Sequence, residues 1–217
     1  MKLEIKNITK KFDNVEILKN VNLTMTDGYI YGFIGRNGSG KSVLLKIICG
    51  FYQPTSGTIL LDGENYLENN SFPKDTRALI ENPNFLPDLT GFENLKLLAS
   101  IQNKITEKDI LDTLEKLNLM SEKDKKYSKY SLGTKQKLGI AQVLMENPKL
   151  IILDEPFNGI DNNTVNKIRK LLEKEKQQKI VIISSHIKED IDLLADVVYE
   201  VDEGTVKAVR KEILNEK

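Results

Sequence analysis

Gly35-Arg36-Asn37-Gly38-Ser39-Gly40-Lys41-Ser42 decides how the rest of this chain is read. It satisfies G-x-x-x-x-G-K-[ST] at every fixed position, a spacing set by the shape of a phosphate group. The glycines let the main chain wrap closely. The N–H groups from Arg36 through Val43, with the N-terminus of a following helix, can then converge on phosphate oxygens. Lys41 is expected to reach the outer phosphates of a nucleotide, and the Ser42 hydroxyl to ligate Mg2+. The flanks agree with this. Tyr29–Ile34 is a nearly continuous apolar run, the pattern of a buried parallel strand, and residues 43–48 read as a helix.

Before this stretch, Leu3, Ile5 and Ile8 sit in a polar background, and Val21, Leu23 and Met25 alternate with polar residues. Such alternation fits a half-solvated antiparallel sheet. Residues 58–61 add another strand, closed by Asp62-Gly63. From residue 82 to 146 the pattern turns helical. Thr106-Glu-Lys-Asp109 has the form of a capping box ahead of Ile110, Leu111, Leu114 and Leu117, and a further helix is expected over 134–145. Beyond it, strands at 150–153 and 180–184 alternate with helices at 164–174 and 187–194, and a hairpin closes around Asp202-Glu203-Gly204. The expected architecture is α/β: a P-loop core with a mainly parallel sheet, an N-terminal antiparallel β subdomain and an inserted α-helical subdomain. The whole of 1–217 would form one domain, with 1–81 and 147–217 as the core and 82–146 as the helical insertion.

The second chemical signal is Leu150-Ile-Ile-Leu-Asp154-Glu155-Pro156. An apolar strand ending in two carboxylates brings Asp154 to the sheet edge, where it can hold the Mg2+ shell. Glu155 can then orient and deprotonate an attacking water. The third is Tyr130-Ser131-Leu132-Gly133-Thr134, just before a helix. Taken alone it reads first as an ordinary N-cap. In a chain that already holds one phosphate cradle, Ser131 and Gly133 offer a second anion site, suited to a nucleotide on another copy.

Composition excludes several classes. Lys+Arg (32) balances Asp+Glu (32), so no basic surface for a nucleic acid is indicated. One cysteine, Cys49, allows no internal disulfide and fits a reducing compartment. Residues 1–6 carry no apolar secretion segment, and no apolar run is long enough to span a bilayer. A cytoplasmic protein is expected, unless a partner holds it at a membrane.

In this order and over nearly its whole length, the sequence resembles the ATP-binding cassette family. The resemblance implies ATP and Mg2+ as ligands and ATP hydrolysis as the activity. It also implies a second nucleotide-binding subunit, either the same chain or a sibling, and a membrane-spanning transporter subunit as partners. Asn158-Gly-Ile-Asp161 matches the loop that links the two sites of the family's dimer, with Asp161 facing the nucleotide. His186 stands where the family places its γ-phosphate-sensing histidine, and Phe12 where an aromatic ring stacks on adenine. Two positions depart from the pattern. The signature Leu-Ser-Gly-Gly-Gln is here Tyr130-Ser-Leu-Gly-Thr134, and Glu81 stands where the family carries a glutamine that touches Mg2+. Both departures resemble cassettes of bacterial exporters that confer resistance or immunity to peptide antibiotics. Such an exporter role would keep the chain on the cytoplasmic face of the membrane, docked through the loop bearing Phe85, Leu86, Leu89 and Phe92, although each of these side chains reads equally as a cap on the helical lobe's own core. The resemblance also leaves room for a cassette that acts away from membranes, and for a degenerate one that binds ATP without turnover. A chromosome-structuring relative would need a long coiled coil, and residues 82–146 show no sustained heptads.

Overall fold

The computed structural model describes residues 1–68 and 70–211. Strand β3 (Tyr29–Ile34) lies at the centre of a six-stranded sheet and leads through the 35–40 turn into helix α1 (Lys41–Ile48). Its neighbours are β7 (Ile180–Ser185) and β8 (Val197–Asp202), both parallel to it. Outside β7 come β6 (Leu150–Asp154) and β5 (Thr76–Leu79), again parallel, and β9 (Thr205–Lys211) closes the other edge as an antiparallel hairpin with β8. The two runs expected at 150–153 and 180–183 are apolar at every position because both faces of this sheet are covered. Leu150, Ile152, Ile180 and Ile182 point to one core, and Ile151, Leu153, Val181 and Ile183 to the other.

The first core is roofed by a three-stranded antiparallel sheet, β2 (Val15–Thr26), β1 (Lys2–Phe12) and β4 (Ser56–Leu61), together with α1. Leu3, Ile5, Ile8, Val21, Leu23 and Met25 are all buried there, as their alternation predicts. Cys49 caps α1 inside this core. Burial, with a smaller push from Asp154, drives its thiol up to about 12, which marks a packing residue and not a nucleophile.

The second core is covered by helices α2 (Gly91–Gln102), α3 (Glu107–Lys116), α4 (Leu132–Leu144), α5 (Asn162–Glu175) and α6 (Lys188–Asp192). The Thr106–Asp109 capping box is present in both directions. A second one, Thr90 with Glu93, starts α2. Helix α4 begins two residues earlier than its apolar spacing suggests, because the Ser131 Oγ accepts a hydrogen bond from the Thr134 N–H and so sets the N-cap. Helix α5 likewise begins at Asn162, capped by Asp161.

Residues 76–79, given no strand by the sequence pattern, form the edge strand β5. Of the two readings of Phe85, the core one holds: it is buried against Tyr127 with ring centres 5.2 Å apart. Leu86 beside it is exposed, and Phe92 packs partly against the helical core.

Candidate functional site

Gly40 holds the N-cap of α1 at φ 110°, and among the described residues no side chain caps that helix. A residue with a Cβ would be strained there, and its Cβ would stand 3.0 Å from Leu18 and 3.1 Å from the Ile17 carbonyl. The first-turn N–H groups are thus left for an anion. Arg36, Asn37 and Gly38 are exposed around the turn. Ser39 donates its N–H to the Arg36 carbonyl, while its Oγ is buried without a partner among the described residues. The Lys41 side chain curls back, its Nζ donating to the carbonyls of Gly35 (2.7 Å) and Arg36 (3.2 Å). Burial pulls the ammonium below the ordinary lysine range, against the opposite pull of Glu155 and Asp154.

A cleft of about 360 Å³ opens over this turn, lined by Phe12, Ile17, Asn37, Gly38, Gly40, Lys41, Ser42, Val43 and Glu155. Phe12 forms its outer wall, edge-on to Tyr52 at 5.5 Å and under the Lys10 ammonium at 4.7 Å. The Glu155 Oε1 lies 3.8 Å from the Lys41 Nζ, and its Oε2 lies 2.9 Å from the His186 Nδ1. Lys41, Glu155 and His186 therefore form one line of contacts. Glu155 sits at φ 50°, an uncommon conformation for a side-chain-bearing residue. Its N–H is held by the carbonyl and the Oγ of Ser184, each at 3.2 Å, and its carbonyl accepts from the Gln136 Nε2 at 3.2 Å.

Asp154 is 2% exposed, and the Ser184 hydroxyl donates to its Oδ1. Among the described residues nothing donates to the Oδ2. No group of three or more His, Cys, Asp or Glu side chains converges among the described residues. The donor set fits Mg2+ held in its usual way at phosphates, by one carboxylate and one hydroxyl (Asp154, Ser42), with the nucleotide and water completing the shell. The exposed Glu81 carboxylate is held by the Lys46 Nζ at 2.5 Å, and Lys46 stands one turn along α1 from Ser42.

The remaining candidates lie elsewhere on the surface. Ser131, Gly133 and Asp161 are not among the residues lining the cleft. Ser131 and Asp161 are exposed. Gly133 packs on the backbone of Gly159, so a Cβ there would stand 2.4 Å from the Gly159 carbonyl oxygen. The Ser131 Oγ also shares a hydrogen bond with the Thr134 Oγ1 at 2.8 Å. Ser184 and Gln136 were not anticipated from the sequence. The only hint was a serine ending an otherwise aliphatic strand, in register with Asp154.

The family model for ABC transporters matches residues 18–158, which span the P-loop, the signature turn and the acidic strand. The chain belongs to this family. As a member it is an ATPase that takes ATP with Mg2+. The cassette is 41% identical over 212 residues to an uncharacterized ABC transporter ATP-binding protein, YybJ, of Bacillus subtilis, covering 97% of both chains. It is 40% identical over 205 residues to the bacitracin transport ATP-binding protein BcrA of Enterococcus faecalis, covering 93% of this chain and 67% of that one. The dimeric post-hydrolysis state of the cassette MJ0796, bound to ADP and Pi, superposes with a TM-score of 0.84 at 26% identity, covering 97% of this chain and 100% of that one. No helix among the described residues is long and apolar enough to cross a membrane.

Replacing Lys41 by Met keeps the stem and removes the ammonium. One or two charge-assisted contacts to phosphate would be lost, so ATP affinity is expected to fall roughly ten- to hundredfold. Titration with a fluorescent ATP analogue measures it. An affinity within about twofold of the parent would mean that Lys41 does not meet the nucleotide.

Proposed function

We propose that this cassette powers a separate membrane-spanning subunit that exports a peptide antibiotic or a related drug, from the cytoplasmic face of the membrane. The observation that carries the catalytic half is the line from Lys41 through Glu155 to His186 at the cleft. The transport half rests on the likeness to the bacitracin transport protein.

In this reading Phe12 stacks on adenine, and the 35–43 turn, including Arg36, Asn37, Gly38, Ser39 and Gly40, wraps the phosphates. Glu155 orients and deprotonates the attacking water, and His186 reports on the γ-phosphate through its contact with Glu155. Mg2+, when bound at Ser42 and Asp154, neutralises charge on the phosphates. Glu81, now paired with Lys46, would be a further carboxylate ligand for that shell. Ser131, Gly133 and Asp161, which lie off the cleft, serve the nucleotide of a second copy or a sibling cassette. Residues 82–146 act as a helical subdomain on the core of 1–81 and 147–217, and Leu86 belongs to the surface that meets the membrane subunit.

Deleting the gene in its native host and measuring growth inhibition tests the role. Sensitivity to bacitracin or to lanthionine-containing peptides is expected to rise severalfold. The intact gene should restore tolerance, and the Glu155→Gln gene should not. Unchanged sensitivity to every peptide, with the protein absent from washed membranes of cells that make the membrane subunit, would sink the exporter reading.

A further inference from the structure

We propose that Arg169 is a positioning residue that holds the Glu155 and His186 segments together and ties both to the Asp161 end of α5. The proposal rests on the hydrolytic roles given above to Glu155 and His186. Arg169 lies about two turns into α5, the helix that Asp161 caps. Its Nη2 donates to the Asp190 Oδ1 at 2.8 Å and its Nη1 to the Asn166 Oδ1 at 3.1 Å. The guanidinium carbon stands 5.4 Å over the centre of the Phe157 ring.

Two of these contacts lead each to one member of the pair, while Asn166 holds the guanidinium to α5 itself. Phe157 follows Glu155-Pro156, so the stacked guanidinium fixes the chain just beyond the residue held at φ 50°. Asp190 begins the other branch. Its Oδ2 accepts from the Ser185 hydroxyl at 3.4 Å, and the Ser185 Oγ accepts from the Ile187 N–H at 3.0 Å. Those two residues flank His186. The His186–Glu155 contact of 2.9 Å therefore has Arg169 behind both of its ends.

Stability alone does not account for this arrangement. The Arg169 and Asp190 side chains are only 14% and 16% exposed, and the Arg169 Nε is buried without a partner among the described residues. Desolvating such a pair offsets most of its attraction, and an apolar replacement of similar volume often serves stability as well. What an apolar residue cannot supply is a planar group that bonds sideways to Asp190 and Asn166 while its face lies on Phe157. Lysine, a point charge, cannot do so either. Because Asp161 caps α5, a partner pressing on that loop would move Arg169 and with it the Glu155–His186 geometry.

The test uses the purified full chain, with Arg169→Met, Arg169→Lys and Asp190→Asn each made alone and combined with His186→Ala. Single-turnover and steady-state hydrolysis, ATP affinity and Tm are measured on every variant. In the parent background, Arg169→Met is expected to lower kcat by about tenfold or more, with KM within about twofold, because a small misplacement of reacting groups is costly while the phosphate cradle is untouched. Arg169→Lys should not restore the rate. On top of His186→Ala, Arg169→Met should cost little more, since both changes break one unit. An equal loss in both backgrounds, or a lower Tm with kcat intact, would assign Arg169 to packing alone. Should Arg169→Met fail to fold, Asp190→Asn removes only a charge and is judged by the same criteria. Full turnover in His186→Ala by itself would instead overturn the roles on which the proposal rests.

Discussion

Glu155→Gln is expected to stop turnover while leaving MgATP bound. The carboxylate lies 3.8 Å from the Lys41 ammonium and 2.9 Å from the His186 ring, at the edge of the nucleotide cleft. The amide keeps the size and a hydrogen bond to His186, but it cannot take a proton from water. Loss of a positioned general base costs typically 10²–10⁴-fold, so kcat should fall by at least about a hundredfold. Binding should not suffer. A carboxylate beside the γ-phosphate repels it, and removing that charge leaves Lys41 wholly to the phosphates.

A trapped ATP then reports on assembly. In size exclusion with light scattering, the variant should move from one copy to two when MgATP is added, because in the proposed arrangement ATP bridges Lys41 of one copy and Ser131 of another only when two copies close on it. A variant that binds ATP and stays single needs a sibling cassette or the membrane subunit to complete its site. A variant that hydrolyses ATP at the parent rate would remove Glu155 from the mechanism.

How much of this was legible depends on how tightly each feature's chemistry constrains residue type. The P-loop can be read directly, because phosphate wrapping demands glycine, lysine and serine at fixed spacing. The buried central strand was legible in the unbroken apolar run of Tyr29–Ile34, whereas the two cores on either side of the sheet appear only once the strands at 150–153 and 180–183 are paired. Strand β5 was hidden, since Thr76-Arg-Ala-Leu79 has one long aliphatic residue and pairs with the sheet on one side only. Phe85 could be read either way, because an aromatic ring in a polar, proline-rich stretch fits a docking loop as well as a plug in a core. Ser184, Gln136 and Arg169 could not be found from spacing. Each acts on a residue far away in sequence, and a serine closing a strand, or a glutamine or an arginine within a helix, is ordinary until its partner is in place.

Gly133→Ala separates binding by one copy from closure by two. Its Cβ would lie 2.4 Å from the Gly159 carbonyl oxygen and 3.7 Å from the Ile160 Cα. The first distance is to backbone, so no side chain can swing aside and the 158–161 loop itself must shift. That loop already carries Gly159 at φ 72° under the Leu132 side chain, and it runs directly into the Asp161 cap of α5. Overpacking of this kind costs about 1–3 kcal/mol, equivalent to roughly five- to 150-fold in an association constant if the displaced loop lies at the joint between copies. In the Glu155→Gln background, ATP affinity of the single copy should therefore stay near the parent value, because Gly133 is not part of the cleft over Lys41. ATP-driven pairing should weaken by that factor. Thr134→Ser is the matched control: it keeps a hydroxyl for the Ser131 Oγ and adds no volume, and pairing should persist. If Gly133→Ala pairs as readily as its parent, the copies meet through some other surface. If it loses ATP instead, the signature turn supports its own cleft, and its assignment to a second copy's nucleotide falls.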